Sequence, residues 1–332
     1  MTLMSRIAPQ LIALAALVAL VSVFYPGFLS VEVQNDRLVG PVIDILKRSA
    51  PVALLAVGMT LVIATRGIDL SVGTIMAICG AAAAWALTAG LGAGAALALA
   101  LGAGLMAGLW NGVLVAVVGI QPFVATLILM TMGRGVAQLI TEGRILTFTD
   151  PGFSWLGSGT ALGLPVPVWI WLATAAAAAL LMRRTALGLL VEAVGINRRA
   201  ALLAGVNATV LLIAVYVASG FCAALAGIIV TADIRGADAN NAGLWLELDA
   251  ILAVVIGGNS LLGGRFSIAA SVLGALIIQT ISAGILLAGF ASEYNLIIKA
   301  GLVLVILILQ SPRIASEWRL WRDSHRAQGD RA

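Results

Sequence analysis

Residues 62–76, VIATRGIDLSVGTIM, decide the fold. They hold one carboxylate, Asp69, one cation, Arg66, and glycines at 67 and 73, with apolar sequence on both sides. A charge and two glycines inside an apolar run free backbone groups, and in lipid those groups have to be met by protein or by a water-lined cavity. The stretch therefore reads as a break, where one membrane helix stops and the next restarts.

Composition sets the class around it. Of 332 residues, 61% are hydrophobic and 10% charged, and the mean hydropathy is +1.10, far from a water-soluble balance. A helix needs about 20 apolar residues to cross the hydrocarbon, and such runs recur between polar breaks. Long unbroken apolar runs do not fit the alternation of barrel strands, so the fold class is an all-α polytopic membrane protein. Ten spans are expected, at approximately 8–25, 49–65, 71–89, 92–118, 122–141, 166–182, 209–231, 247–262, 267–287 and 294–311. The first run lacks a small-x-small cleavage site and reads as a retained span.

Ten spans place both termini on one side. If that side is cytoplasmic, it collects twelve arginines, among them Arg66, Arg183, Arg184, Arg198, Arg199 and Arg265, against Arg37, Lys47, Arg48, Arg144 and Arg235 outside. The net charge of +4 is thus a topology signal, with membrane lipid as the partner and no nucleic acid. Polar intervals at 27–48, 142–165 and 183–208 and the tail at 312–332 are too short for a core of their own, so 1–332 is one membrane domain. Cys79 and Cys222 sit in apolar runs as single thiols, and no metal or cofactor is expected.

Two stretches share an order of elements. Residues 50–83 run as apolar helix, Gly-rich break and small-residue helix, and 247–278 repeat that order. Paired interrupted spans point to a repeat-built transporter with two five-helix halves, near 1–145 and 165–315. The break motifs are Gly67, Asp69, Ser71 and Gly73, then Gly257, Gly258, Ser260, Gly263 and Gly264. The second resembles a phosphate loop, but Gly264 and Arg265 stand where Lys and Ser or Thr would bind phosphate and Mg²⁺. The single His, His325, has no metal or nucleophile motif around it, so the chain is not read as an enzyme. Asp69 is either an intramembrane ion or proton site or a cap on the restarting helix assisted by Ser71, close to the cytoplasmic interface; the cap is preferred. An Arg66–Asp69 ion pair would strengthen that preference.

The fourth span carries Gly104, Gly108 and Gly112 on one face, a stripe for close helix packing. Asn111 beside it, with Gln121 and Thr126, is a candidate for lining a translocation path. The interval 183–208 has the composition of a short helix, with Gly195 and Asn197 suited to its turn or C-terminal cap, and it can dock a soluble partner or lie on acidic lipid.

GIDLSVG (67–73), WNG (110–112), IQPFVATL (120–127), EAVGIN (192–197) and LELDAILAVVIGGNSLLGGR (246–265) resemble, in order and over nearly the whole chain, the membrane permeases of bacterial ABC importers for simple sugars. Residues 120–143 and 231–251 look most similar to galactofuranose-type permeases within that class. The resemblance implies a non-catalytic subunit of the inner membrane with cytoplasmic termini, moving galactofuranose or a similar pentose or hexose. It implies three partners: a second permease, identical or paralogous, a cytoplasmic ATP-binding subunit and a periplasmic sugar-binding protein. Glu192, Ala193, Gly195 and Asn197 match the loop that contacts the ATPase; Asp233, Arg235, Asp238 and Asn240 lie where a binding protein would dock. Many relatives carry Gly-Gly where this chain has Arg66-Gly67, and Thr is frequent at the position of Asn259. The rival class is an ion-gradient-driven secondary sugar transporter, against which the lack of paired intramembrane acids speaks.

Overall fold

A computed structural model describes residues 3–34, 37–290 and 293–310. The expected tail at 312–332 lies outside them. In chain order the helices are α1 (Leu3–Phe24), α2 (Pro41–Arg48), α3 (Ala50–Ala64), α4 (Val72–Thr88), α5 (Gly92–Val113), α6 (Pro122–Thr141) and α7 (Pro151–Ser158). There follow α8 (Val166–Arg184), α9 (Leu187–Ile196), α10 (Arg198–Leu203), α11 (Ala208–Ile234), α12 (Leu246–Ile256), α13 (Ile268–Leu287) and α14 (Glu293–Gln310). A π-helical segment, Leu114–Val118, extends α5. The described strands are two or three residues long and act as clasps; Leu146–Thr147 pairs antiparallel with Gly236–Ala237, tying the loop after α6 to the end of α11.

Among the described residues, six helices are long and apolar enough to cross a membrane: α1, extended α5, α6, α8, α11 and α13. The bent pair α2 and α3, at 41°, makes a seventh if counted as one span. The chain is therefore an all-α, multi-pass membrane protein. Two expected spans come out shorter. The one at 71–89 is α4, with 17 residues, and the one at 247–262 is α12, with 11, which stops at Ile256. At 1.5 Å per residue α12 is only about 16 Å long, roughly half the hydrocarbon thickness. It stops because Gly258, at φ +80°, turns the chain.

Close approach of helices organises residues 1–280, which form one unit. Helix α11 lies against α3, α4, α5 and α7. The expected glycine stripe of α5 packs on it: a Cβ on Gly104 would lie 2.6 Å from Ala224 Cβ, and one on Gly112 would lie 2.8 Å from Ile213 Cα. Gly58 of α3 meets Ser219 of α11 in the same way, at 2.8 Å from its Cα. Without a side chain in between, backbones pack directly and gain dispersion contacts that lipid would otherwise supply. Every residue of α3 except Pro51 is buried, as expected of a central helix apolar on all sides. Cys79 and Cys222 are buried free thiols.

Residues 281–332 form a second unit, beginning inside α13. Within its described part, Phe290 and Tyr294 meet edge to face at 5.9 Å, and Ser282 Oγ lies 3.4 Å from Asn295 Oδ1.

Candidate functional site

The first break spans 65–71. Helix α3 closes when Gly67 N donates to Val62 O at 3.0 Å and Arg66 takes φ +65°, a conformation uncommon for a residue with a side chain. Two bonds hold it there: Arg66 Nε donates to Leu262 O at 2.9 Å and Nη2 to Ile196 O at 2.8 Å. The guanidinium thus spends itself on two carbonyls, which corrects the expected ion pair with Asp69. Gly67 and Gly73 are needed for space, since both have negative φ. A Cβ on Gly67 would come 2.6 Å from the Tyr216 hydroxyl, and one on Gly73 would come 2.6 Å from Glu247 Oε2.

Asp69 is fully buried. Its Oδ1 accepts from Ser71 N at 3.0 Å and Ser71 Oγ at 2.6 Å, and its Oδ2 accepts from Ser219 Oγ of α11 at 2.8 Å. Asn111 Nδ2 of α5 donates to Ser71 Oγ at 2.8 Å. Thr126 Oγ1 of α6 accepts from Leu70 N at 3.2 Å and lies 3.1 Å from Ile68 O. The carboxylate does take an amide at the threshold of α4, but the Ser71 hydroxyl serves the carboxylate and caps no amide. Within the protein Asp69 sits in the interior, against Ser219 of α11. Of the path candidates, Asn111 and Thr126 are fully buried and bound into this network, whereas Gln121 is exposed.

The second break, 257–267, has its own network. Asn259 Oδ1 accepts from Ser267 N at 2.6 Å and Nδ2 donates to Ser271 Oγ at 2.8 Å. Thr60 Oγ1 of α3 lies 2.7 Å from the same Ser271 Oγ. Gln10 of α1 donates to Gly257 O at 2.9 Å, and Ser260 Oγ accepts from Leu262 N at 3.1 Å. Gly263 and Gly264 both take positive φ, so their freedom shapes the turn that faces the first break.

The two breaks and the 183–208 interval meet at one point. Gly264 N donates to Ala64 O at 2.9 Å. Gly195 presses on this pair: a Cβ there would overlap Ala64 O and lie 2.9 Å from Gly264 N. Gly195 is a buried helical residue inside α9, which corrects its expected role in a turn. Asn197 ends α9 and opens α10, its side chain accepting from Ala200 N at 3.0 Å. The interval is therefore two short helices where one was expected. Glu192 and Ala193 are half-buried on α9, and Glu192 borders a cavity of about 290 Å³ with Arg183, Thr185 and Ser267.

At the other end of α11, the four docking candidates face different partners. Asp233 pairs with Lys47 at 2.6 Å. Arg235, at φ +54°, borders a cavity of about 480 Å³ with Arg37, Asp150 and Trp155. Asn240 Oδ1 accepts from Gln138 Nε2 at 2.7 Å. Asp238 accepts from Asn240 N, Asn241 N and Asn241 Nδ2. Its carboxyl is held below the ordinary 3.8, chiefly by the Asn241 side chain, with the backbone amides and Arg134 adding to this against a raising effect of partial burial.

Sequence reasoning missed Arg134. It donates to Ala239 O at 2.9 Å and Ala242 O at 2.7 Å, pinning the 238–245 loop to α6. The signal was present, because a cation inside an expected span is costly unless it has partners. Ser219 and Tyr216 were also missed, and there only the rotation of α11 could have pointed them at Asp69.

Buried polar networks surround two helix breaks in a multi-pass, all-α membrane protein. The pattern of a family described as the permease component of branched-chain amino acid transport systems matches residues 42–307, and the chain belongs to that family. It is 62% identical over 308 residues to the galactofuranose transporter permease protein YtfT of Escherichia coli K12, covering 93% of this chain and 90% of that one. It is 41% identical to the fructose import permease protein FruF of Bifidobacterium longum, over 94% of this chain and 89% of the relative. It is 40% identical to the ribose import permease protein RbsC of E. coli K12, over 92% and 93%. No solved structure matches significantly.

Proposed function

We propose that this chain is the membrane path of an ATP-driven sugar importer, carrying galactofuranose or a similar pentose or hexose across the inner membrane. The substrate class rests on the names of the relatives, since the family description alone points to amino acids. The observation that carries the mechanism is the seating of Gly195 on Ala64 O and Gly264 N. A force applied to α9 reaches both breaks through backbone contact, with no flexible side chain to absorb it. Arg66 adds a second link by bonding Ile196 O on one side and Leu262 O on the other.

In this reading Glu192, Ala193, Gly195 and Asn197 receive a cytoplasmic ATP-binding subunit. ATP-driven motion at that loop shifts the breaks, and the halves at 1–145 and 165–315 open alternately to either side. Ten spans with both termini cytoplasmic satisfy the charge asymmetry if α4 and α12, though short, each count as one span. Arg235, Asp238 and Asn240, with Asp233, form the face offered to a periplasmic sugar-binding protein. A second permease, identical or paralogous, completes the path, with the exposed Gln121 at the threshold of α6.

Reconstitution tests this. Proteoliposomes holding the permease, its ATPase and the binding protein should accumulate labelled sugar only when ATP is supplied on the ATPase side. Accumulation by the permease alone under a sodium or proton gradient would replace this reading with the secondary-transporter one.

A further inference from the structure

We propose that residues 238–245 form a movable strap across the half of the membrane path opposite α9, latched by Arg134 and worked from the first break through Gly73 and Gly243. The proposal rests on the import reading above and adds to it the element that closes the second side.

The strap follows the end of α11 that lies far from the α9–α10 interval, where Gly236–Ala237 pairs with Leu146–Thr147. From there it runs inward. Asn240 Oδ1 accepts from Gln138 Nε2, and Ala239 O and Ala242 O accept from Arg134, one turn earlier on α6. Gly243 then reaches the first turn of α4: a Cβ on Gly243 would overlap Gly73 O, and one on Gly73 would overlap Gly243 O. The next residue of α4, Thr74, donates from Oγ1 to Met130 O at 3.0 Å. From Met130 to the end of α6 at Thr141 the helix rises about 16 Å. The strap therefore descends about half the hydrocarbon thickness, and α12, of similar length, completes the crossing. Non-helical backbone at such depth is tolerated only where protein buries it or water reaches it. Ala239 and Gly243 are buried, while Asn240 and Asn241 present exposed amides, so the open side suits a wet path better than lipid.

The fastening differs on the two sides. Toward α6 it consists of side-chain hydrogen bonds, led by Arg134, which lies within electrostatic reach of Asp238 and Glu247. Toward α4 it is backbone on backbone, with no side chain to give. Helix α4 restarts directly after the first break, so a shift of that break carries Gly73 against Gly243 and loads the strap. The push that enters at Gly195 is delivered at the opposite side, where release of the Arg134 bonds frees the strap.

A reversible cross-link tests this. Gln138→Cys with Asn240→Cys places thiols on two side chains that touch in the latched strap, and a short bis-thiosulfonate reagent should bridge them in the complete transporter in proteoliposomes. Bridging should cut ATP-driven uptake of labelled sugar by about tenfold or more, and a reductant should restore it. Either single-cysteine variant, treated alike, should keep its uptake. Asn241→Cys, labelled by a membrane-impermeant maleimide from the binding-protein side, should change its labelling rate about threefold or more when ATP and vanadate trap the transporter. Gly195→Ala should remove that change. Undiminished uptake in the bridged protein, failure of the two thiols to bridge, or equal labelling in both states would overturn the strap. Absence of ATP-driven uptake of any sugar by the unmodified transporter would instead overturn the import reading.

Discussion

Gly195→Ala sets two simple expectations against each other. In an exposed helix the change gains about 1 kcal/mol, because Ala is the better helix former. At Gly195 the added methyl overlaps Ala64 O, the acceptor of the Gly264 N bond at 2.9 Å. Overpacking of this kind costs about 1–3 kcal/mol, and a strained or lost hydrogen bond adds about 0.5–1.5 kcal/mol. Subtracting the propensity gain leaves a net destabilisation of about 0.5–3.5 kcal/mol. Gly102→Ala in α5 and Gly135→Ala in α6 are the controls, since a Cβ at either position meets nothing within 4 Å. Thermal melting of the purified permease should fall for Gly195→Ala and hold or rise for both controls. In proteoliposomes, Gly195→Ala should insert and bind the ATPase yet lose most ATP-driven uptake, because the contact that moves both breaks has been wedged apart. If Gly195→Ala melts at or above the wild-type temperature and transports normally, the junction does not work as described.

Among the described residues Ser219 is the only side-chain donor to Asp69 Oδ2, in a fully buried site, so Ser219→Ala should cost about 1–3 kcal/mol; an unchanged melting temperature would show that water replaces it freely. Arg134→Ala frees the carbonyls of Ala239 and Ala242, so limited proteolysis should cut the 238–245 loop faster than in the wild type, and equal rates would refute the clamp. The loop should also loosen in acid. The folded pKa of Asp238 lies below its ordinary 3.8, so its contribution is present above that value and fades as pH falls through the lower one. Fluorescence of Trp245, followed from pH 7 to 3, should report a change only below about 4 that Asp238→Asn abolishes.

Break positions were legible because Gly, Asp and Asn stand out in apolar sequence, and the helices do end at Ala64 and Ile256. Their purpose was less legible. Gly67 and Gly73 look like turn glycines in the sequence, yet the positive φ belongs to Arg66, and the glycines make room for Tyr216 and Glu247. Asn111 and Thr126 stood out because polar groups in apolar helices need partners, but which partners they meet, Ser71 and the backbone around Asp69, was not legible. The length of α12 was overestimated because the span was carried across Gly257 and Gly258 to Leu261 and Leu262, whereas the helix stops at Ile256.

By itself, the sequence determined that the chain crosses a membrane repeatedly, that two helices are interrupted, and that its motifs match those of sugar permeases. Those properties reside in local composition and spacing, which survive being read one residue after another. Tertiary structure decided that Asp69 answers to Ser219, 150 positions away, that both breaks share the Ala64–Gly264 bond, and that Gly195 locks onto it. Helix rotation and the approach of distant segments set these contacts, and in an apolar chain almost every face of a helix looks equally fit to be buried.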